Sequence, residues 1–112
     1  MSIRFKLEEY GFGLRPEILL GAIKVEPIFA YYQVDLIITS GREKYKHSVE
    51  RSAHYRGDAI DVRSKNLPIS ANKIEVLNRI KDILGPDYVC VFENAGKANE
   101  HFHIHWSPVY KD

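Results

Sequence analysis

Ser52-Ala53-His54-Tyr55-Arg56-Gly57-Asp58-Ala59-Ile60-Asp61 is the stretch around which the rest of this chain is organised. It sets a histidine and, seven residues on, an aspartate, with Gly57 and Ala59 between them where a bulky side chain would crowd a site. A second segment, Glu100-His101-Phe102-His103-Ile104-His105, supplies the other half. All five histidines lie in or just before these two segments, with His47 a short way upstream of the first. A loop-borne histidine, an aspartate and a strand-borne histidine offer three N/O ligands to one divalent metal, and a three-ligand zinc site keeps a position open for water. Zinc lowers the pKa of such a water toward neutrality, so this is a hydrolytic layout. An isolated His and Asp at this spacing is more often a structural pair; the second histidine cluster shifts the balance toward a metal.

Around these segments the pattern is that of a small α+β domain. Residues 1–14 carry little signal beyond Gly11 and Gly13, which mark a loop after a short strand. Leu14-Arg15-Pro16-Glu17 reads as a helix entry, because proline is tolerated in the first turn and a glutamate suits the positive end of the dipole. Ile18, Leu19, Ala22 and Ile23 then share a face, and Pro27 is expected to open a second helical segment. Val34 to Thr39 reads as a buried strand ending at Ser40-Gly41. The polar run from Arg42 to Ser52 is a long loop of the kind that carries function. From Asp58 to Arg63 the residues alternate, so a strand puts Ala59, Asp61 and Arg63 opposite Ile60 and Val62.

Ser70 is the expected N-cap of a helix whose stripe is Ile74, Leu77, Ile80, Ile83 and Leu84, ended by Gly85-Pro86. Tyr88 to Glu93 and His101 to Trp106 read as a hairpin across the turn formers between them. The expected architecture is an antiparallel sheet carrying the metal site, covered by helices on its other side.

Length and composition bound the possibilities. The 112 residues make one domain, 1–112, since domains typically run ~100 to 150 residues. One Trp, seven Tyr and five Phe within a 45% hydrophobic chain support a real core. A net charge of +1 with interspersed signs gives no sign of a nucleic-acid or membrane partner. Nor is an obligate protein partner evident. Cys90, the only cysteine, lies in an apolar run and reads as a buried small hydrophobe, so no oxidising compartment is needed. Met1 to Glu9 is charged where a signal peptide needs an apolar core, and no run approaches the ~18 apolar residues of a membrane span. Synthesis in the cytoplasm without a signal peptide is expected.

The pattern S-x-H-x-x-G-x-A-x-D, followed by E-x-x-H near the C-terminus, resembles the zinc peptidases of the D-alanyl-D-alanine carboxypeptidase and L-alanyl-D-glutamate endopeptidase family, and more distantly the hedgehog signalling domain. The resemblance runs from about Ile37 to Pro108. It implies the hedgehog/DD-peptidase fold, Zn2+ as cofactor, and hydrolysis of peptidoglycan stem peptides or short D-amino-acid peptides. An enzyme without a leader would then be a phage lysis or tail component released by other means, or a cytoplasmic dipeptidase. The alternative is a non-catalytic zinc module of hedgehog-like type used for recognition.

Carried onto this chain, the resemblance makes His54, Asp61 and His103 the metal ligands and Glu100 the general base. Aligned instead on the hedgehog-like His-Ile-His-x-Ser, the third ligand becomes His105 and the base Glu93. His103 is preferred. Glu100 fits only from a loop just before the strand, because strand residues three apart face opposite sides. His101 and His47 are candidates to steady the oxyanion or orient the water, and Ser52 to brace a ligand through its hydroxyl. Arg42, after Thr39-Ser40-Gly41, resembles the family's substrate-contacting arginine, although the residue that usually separates it from the glycine is missing. Arg51 and Arg56 are substitutes, and Trp106, Tyr45, Tyr55 and Tyr110 are groove or rim aromatics.

Overall fold

A computed structural model describes residues 2–41 and 56–108. In chain order the elements are β1 (Ile3–Phe5), a 3-10 turn at Glu8–Gly11, α1 (Pro16–Tyr31), β2 (Leu36–Ser40), β3 (Ala59–Arg63), α2 (Lys73–Leu84), β4 (Tyr88–Glu93) and β5 (His101–Trp106). The strands form one sheet in the order β1-β2-β3-β5-β4. β1 runs parallel to β2 while every other neighbour is antiparallel, so the sheet is mixed where a purely antiparallel one was expected. The parallel edge arises because α1 lies between the two strands and carries the chain back to the starting end, the connection a parallel pair needs.

Strand alternation divides the sheet into two faces. Ile60, Val62, Cys90, Phe92, Phe102 and Ile104 point to the core, where they meet Ile18, Ala22, Val25 and Phe29 of α1 and Val76, Leu77, Ile80 and Leu84 of α2. Both helices therefore cover one face. The other carries Ala59, Asp61 and Arg63 beside His101, His103 and His105, as the period of two requires. Phe29 stands edge-on to Phe102, with centroids 6.4 Å apart, so α1 packs directly behind the histidine strand.

α1 is one continuous helix with Pro27 inside it, not the two segments expected. Pro27 and Ile23 lie on the exposed side, so the Ile23 carbonyl that proline leaves unbonded meets water. Val25 and Phe29, both fully buried, supply the packing that offsets a mid-helix proline's cost of ~3 kcal/mol. The buried positions of α1 are Ile18, Gly21, Ala22, Val25 and Phe29, whereas Leu19 and Ile23 of the expected face are exposed. The cap of α2 is Asn72, not Ser70: its side chain accepts the N–H groups of Ile74 and Glu75, both at 3.1 Å. The buried stripe is Val76, Leu77, Ile80 and Leu84, whereas Ile74 and Ile83 of the expected stripe face solvent. No described helix is long and apolar enough to cross a membrane.

Candidate metal centre

The pairing of β3 with β5 assembles the site. Register sets Asp61 opposite His103, Arg63 opposite His101 and Ala59 opposite His105. β4 adds Val91 beside His103 and Glu93 beside His101. Three rows thus cross the exposed face, and the two carboxylates and three imidazoles lie on neighbouring strands about 4.8 Å apart.

His103 Nδ1 lies 3.0 Å from Asp61 Oδ1, and its Nε2 lies 2.9 Å from His105 Nδ1. A carboxylate only accepts, so His103 donates from Nδ1 and its Nε2 accepts from His105; a metal held by His103 would take that Nε2 lone pair in place of the His105 hydrogen. His101 is turned the other way: Nδ1 is 2.7 Å from the Asn99 carbonyl and therefore carries a hydrogen. Its Nε2 then faces two acceptors, Glu93 Oε1 at 3.1 Å and Asp61 Oδ1 at 3.6 Å. Two carboxylates converging on an imidazole lone pair concentrate negative potential at that point, which favours a bound cation.

Asp61, Glu93 and His103 each offer a ligand atom, and these atoms lie within 4.8 Å of one another. Asp61 and His103 are half-buried, and Glu93 is exposed at the rim. Two carboxylates and a neutral imidazole form a set of oxygen and nitrogen donors that suits a divalent cation of zinc type. The chemistry of the donor set, with both carboxylates facing the same point beside His101, is what fits the group.

Glu100 does not join this cluster. Its carboxylate, in a residue only 7% exposed, accepts from Ser64 Oγ at 2.5 Å and from the Gly96 amide at 2.8 Å, and pairs with Lys73 at the start of α2. Burial pushes this carboxyl up, but hydrogen bonds from Lys73, Ser64 and Gly96 together with the lysine charge outweigh it and hold the pKa at about 2. Such a carboxyl is a poor proton acceptor at neutral pH. The base expected at Glu100 is instead an anchor between the β4–β5 turn, the end of β3 and α2. The reason is its set of partners: in the loop just before β5, Glu100 is turned to Ser64, Gly96 and Lys73 and away from His103. Glu93, weighed as its rival, is the acid on the histidine side.

Gly57 is needed for a different reason from the one its spacing implied. A Cβ there would come 2.1 Å from the Gly13 carbonyl oxygen, and its φ is +75°. The Gly57 carbonyl accepts the Arg15 amide at 2.9 Å, while the Asp58 carbonyl accepts from Trp106 at 2.8 Å. The nearly buried Asp58 carboxylate pairs with Arg15 at 2.7 Å and Arg56 at 3.0 Å. Gly57 and Asp58 thus pin the start of β3 to the entry of α1 and to β5, which fixes the Asp61 to His103 register. Arg56 has this structural role.

His54, His47, Ser52, Arg42, Arg51, Tyr45, Tyr55 and Tyr110 lie outside the described residues. The partners of Glu100, Ser64 and Lys73, went unread in the sequence because they lie 36 and 27 positions away. No family model, curated protein or solved structure matches the chain. What stands on the geometry is a small α+β domain with a mixed sheet, two helices and an Asp/Glu/His cluster compatible with a divalent metal ion.

Proposed function

We propose that this protein is a zinc-dependent hydrolase of peptide bonds, acting on peptidoglycan stem peptides or short D-amino-acid peptides. The observation that carries the reading is the convergence of Asp61, Glu93 and His103 on one point of the open sheet face. Asp61 and His103 would hold the ion, with His54 of the S-x-H-x-x-G-x-A-x-D pattern as the third ligand. When bound, Zn2+ supplies a Lewis acid for the scissile carbonyl and lowers the pKa of water toward neutrality.

Glu93, with a side chain 47% exposed at the end of β4, is the base. It is open to solvent, so it takes a proton from the attacking water and returns it to the leaving amine. His101 Nε2 lies 3.1 Å from this carboxylate and His105 Nδ1 lies 2.9 Å from His103 Nε2, so both imidazoles border the metal position. The substrate class rests on the sequence resemblance. In a chain of this kind the peptidoglycan substrate would be met after release into the cell wall, as by a phage lysis or tail enzyme; a cytoplasmic dipeptidase is the other setting.

A second reading has one observation in its favour: Glu100, the acid of the E-x-x-H pattern, is committed to Lys73, as suits a non-catalytic zinc module used for recognition. Elemental analysis and cleavage of purified peptidoglycan test both. About one zinc per chain, lost in Asp61→Asn, His54→Ala and His103→Ala, with a Glu93→Gln variant that keeps zinc and loses hydrolysis, is the expected result. Zinc without hydrolysis in the wild type selects the recognition module. No metal in folded protein supplied with zinc overturns both.

A further inference from the structure

The metal centre has a neighbour. A cavity of about 330 Å3 opens beside it, and Asp61 and His101 form part of its wall. Three cations, Lys6, Arg63 and Lys65, also line it, among neutral residues such as Thr39 and Asn99 and the carboxylate of Glu100. They reach it from two elements: Lys6 follows β1 at one edge of the sheet, while Arg63 and Lys65 come from β3 and the residues after it. None of the three has an ion-pair partner among the described residues. Of the two acids in the wall, Glu100 is paired with Lys73, and Asp61 turns to His103 and the metal position, which leaves three cations against one carboxylate. In a chain whose net charge is only +1, three unpaired cations around one concavity are a local concentration of positive charge that favours an anion.

We propose that this cavity is a carboxylate-binding subsite that selects acidic peptides and sets where they are held relative to the metal centre; this deepens the hydrolase reading and rests on it. Arg63 presents the planar fork that pairs with a carboxylate through two hydrogen bonds, with Lys65 and Lys6 adding charge. Its place on β3 fixes the spacing. Arg63 and Asp61 are two positions apart on the same face, about 7 Å along the strand, which is the span of about two residues of extended peptide. A carboxylate held by Arg63 therefore sits one or two residues beyond the bond presented to Asp61, His103 and Glu93. That geometry suits removal of the last residue or two from a peptide with a free C-terminus, or cleavage next to an acidic side chain.

The test is equilibrium binding to the zinc-loaded full chain of three fluorescent tripeptides of equal length. One ends in a free carboxylate, one is its C-terminal amide, and one is an amide with a glutamate in the second position. Tighter binding of the free acid than of the plain amide, by about tenfold, identifies the terminal carboxylate; tighter binding of the glutamyl amide identifies the side chain. Either preference should vanish in Arg63→Ala and Lys65→Ala while zinc content stays at the wild-type level. Arg63→Lys, which keeps the charge and the fold but not the fork, should retain a part of it. Equal affinity for all three peptides, or a preference that survives both alanine variants, overturns the subsite. Failure of the hydrolase reading looks different: zinc would be missing, or peptides would be bound without being cut, while the carboxylate preference and its loss in Arg63→Ala persist.

Discussion

Replacing Glu100 by glutamine separates an anchor from a catalytic base. The carboxylate takes three donors, from Ser64, Gly96 and Lys73. Glutamine is nearly isosteric but has one acceptor oxygen and a donating amide, so at least one of these contacts becomes donor against donor, and Lys73 loses its counter-ion. Stranding one member of a buried pair costs ~3–5 kcal/mol. The Lys73 side chain is 25% exposed and can turn partly to water, so about 2 kcal/mol is expected, near the value of a hydrogen bond to a charged group. For a chain of this size that lowers the melting midpoint at neutral pH by roughly 8 °C.

The pH dependence gives the sign. The Glu100 pKa is held at about 2 against an ordinary 4.5. A depressed carboxyl contributes stability that is complete above the ordinary value and is lost as pH falls through the folded one. The gap between wild type and Glu100→Gln should therefore be widest at pH 7 and should narrow between pH 4.5 and 2. Thermal unfolding followed by circular dichroism at pH 7 and pH 3 measures it. Equal midpoints at pH 7, or a gap that is unchanged at pH 3, would refute the anchor. Below its melting range the variant should keep both zinc and hydrolysis; loss of hydrolysis with an unchanged midpoint would return the role of base to Glu100.

Other predictions follow from the same geometry. Gly57→Ala should destabilise the chain by more than about 2 kcal/mol, combining a positive φ with a backbone clash; a denaturant midpoint within error of wild type would contradict the pinning of β3 to α1. His105→Ala should keep zinc with affinity no weaker than wild type by isothermal titration, because His105 hydrogen-bonds the same His103 nitrogen that the ion would take; complete loss of zinc would make His105 the ligand. The Cys90 thiol, pushed up to about 11 by burial with only slight relief from Lys81, should resist thiol reagents at pH 8 in the folded protein and react on unfolding. Rapid labelling of native protein would show that the sheet and α2 do not seal it.

Much of the site's layout was legible in the chain itself. Strand alternation alone puts His101, His103 and His105 on one face and Asp61 opposite Ile60 and Val62, because side-chain direction in a strand depends only on the count of residues. The hairpin bounds at Tyr88 to Glu93 and His101 to Trp106 came out as read, since turn formers separate two β-rich runs. Helix details were less legible. Asn72 and Ser70 are both good caps by residue type, and it is Asn72 whose side chain accepts the first amides of α2. Pro27 has the local signature of a helix start, and only the packing of Val25 and Phe29 keeps α1 continuous across it.

What the sequence by itself determined is the set of chemical groups and the face each takes: histidines and acids on one side of a sheet, aliphatic and aromatic side chains on the other. Tertiary structure alone decided which of those groups meet. Asp61 reaches His103 because β3 pairs with β5 in a register set by the contacts of Gly57 and Asp58 with α1 and Trp106. Glu93 reaches His101 from β4, whereas Glu100, next to His101 in the chain, turns to Ser64 and Lys73. The physical reason is that direction is a local property of the backbone, while register and ion pairing are settled by partners far away in sequence.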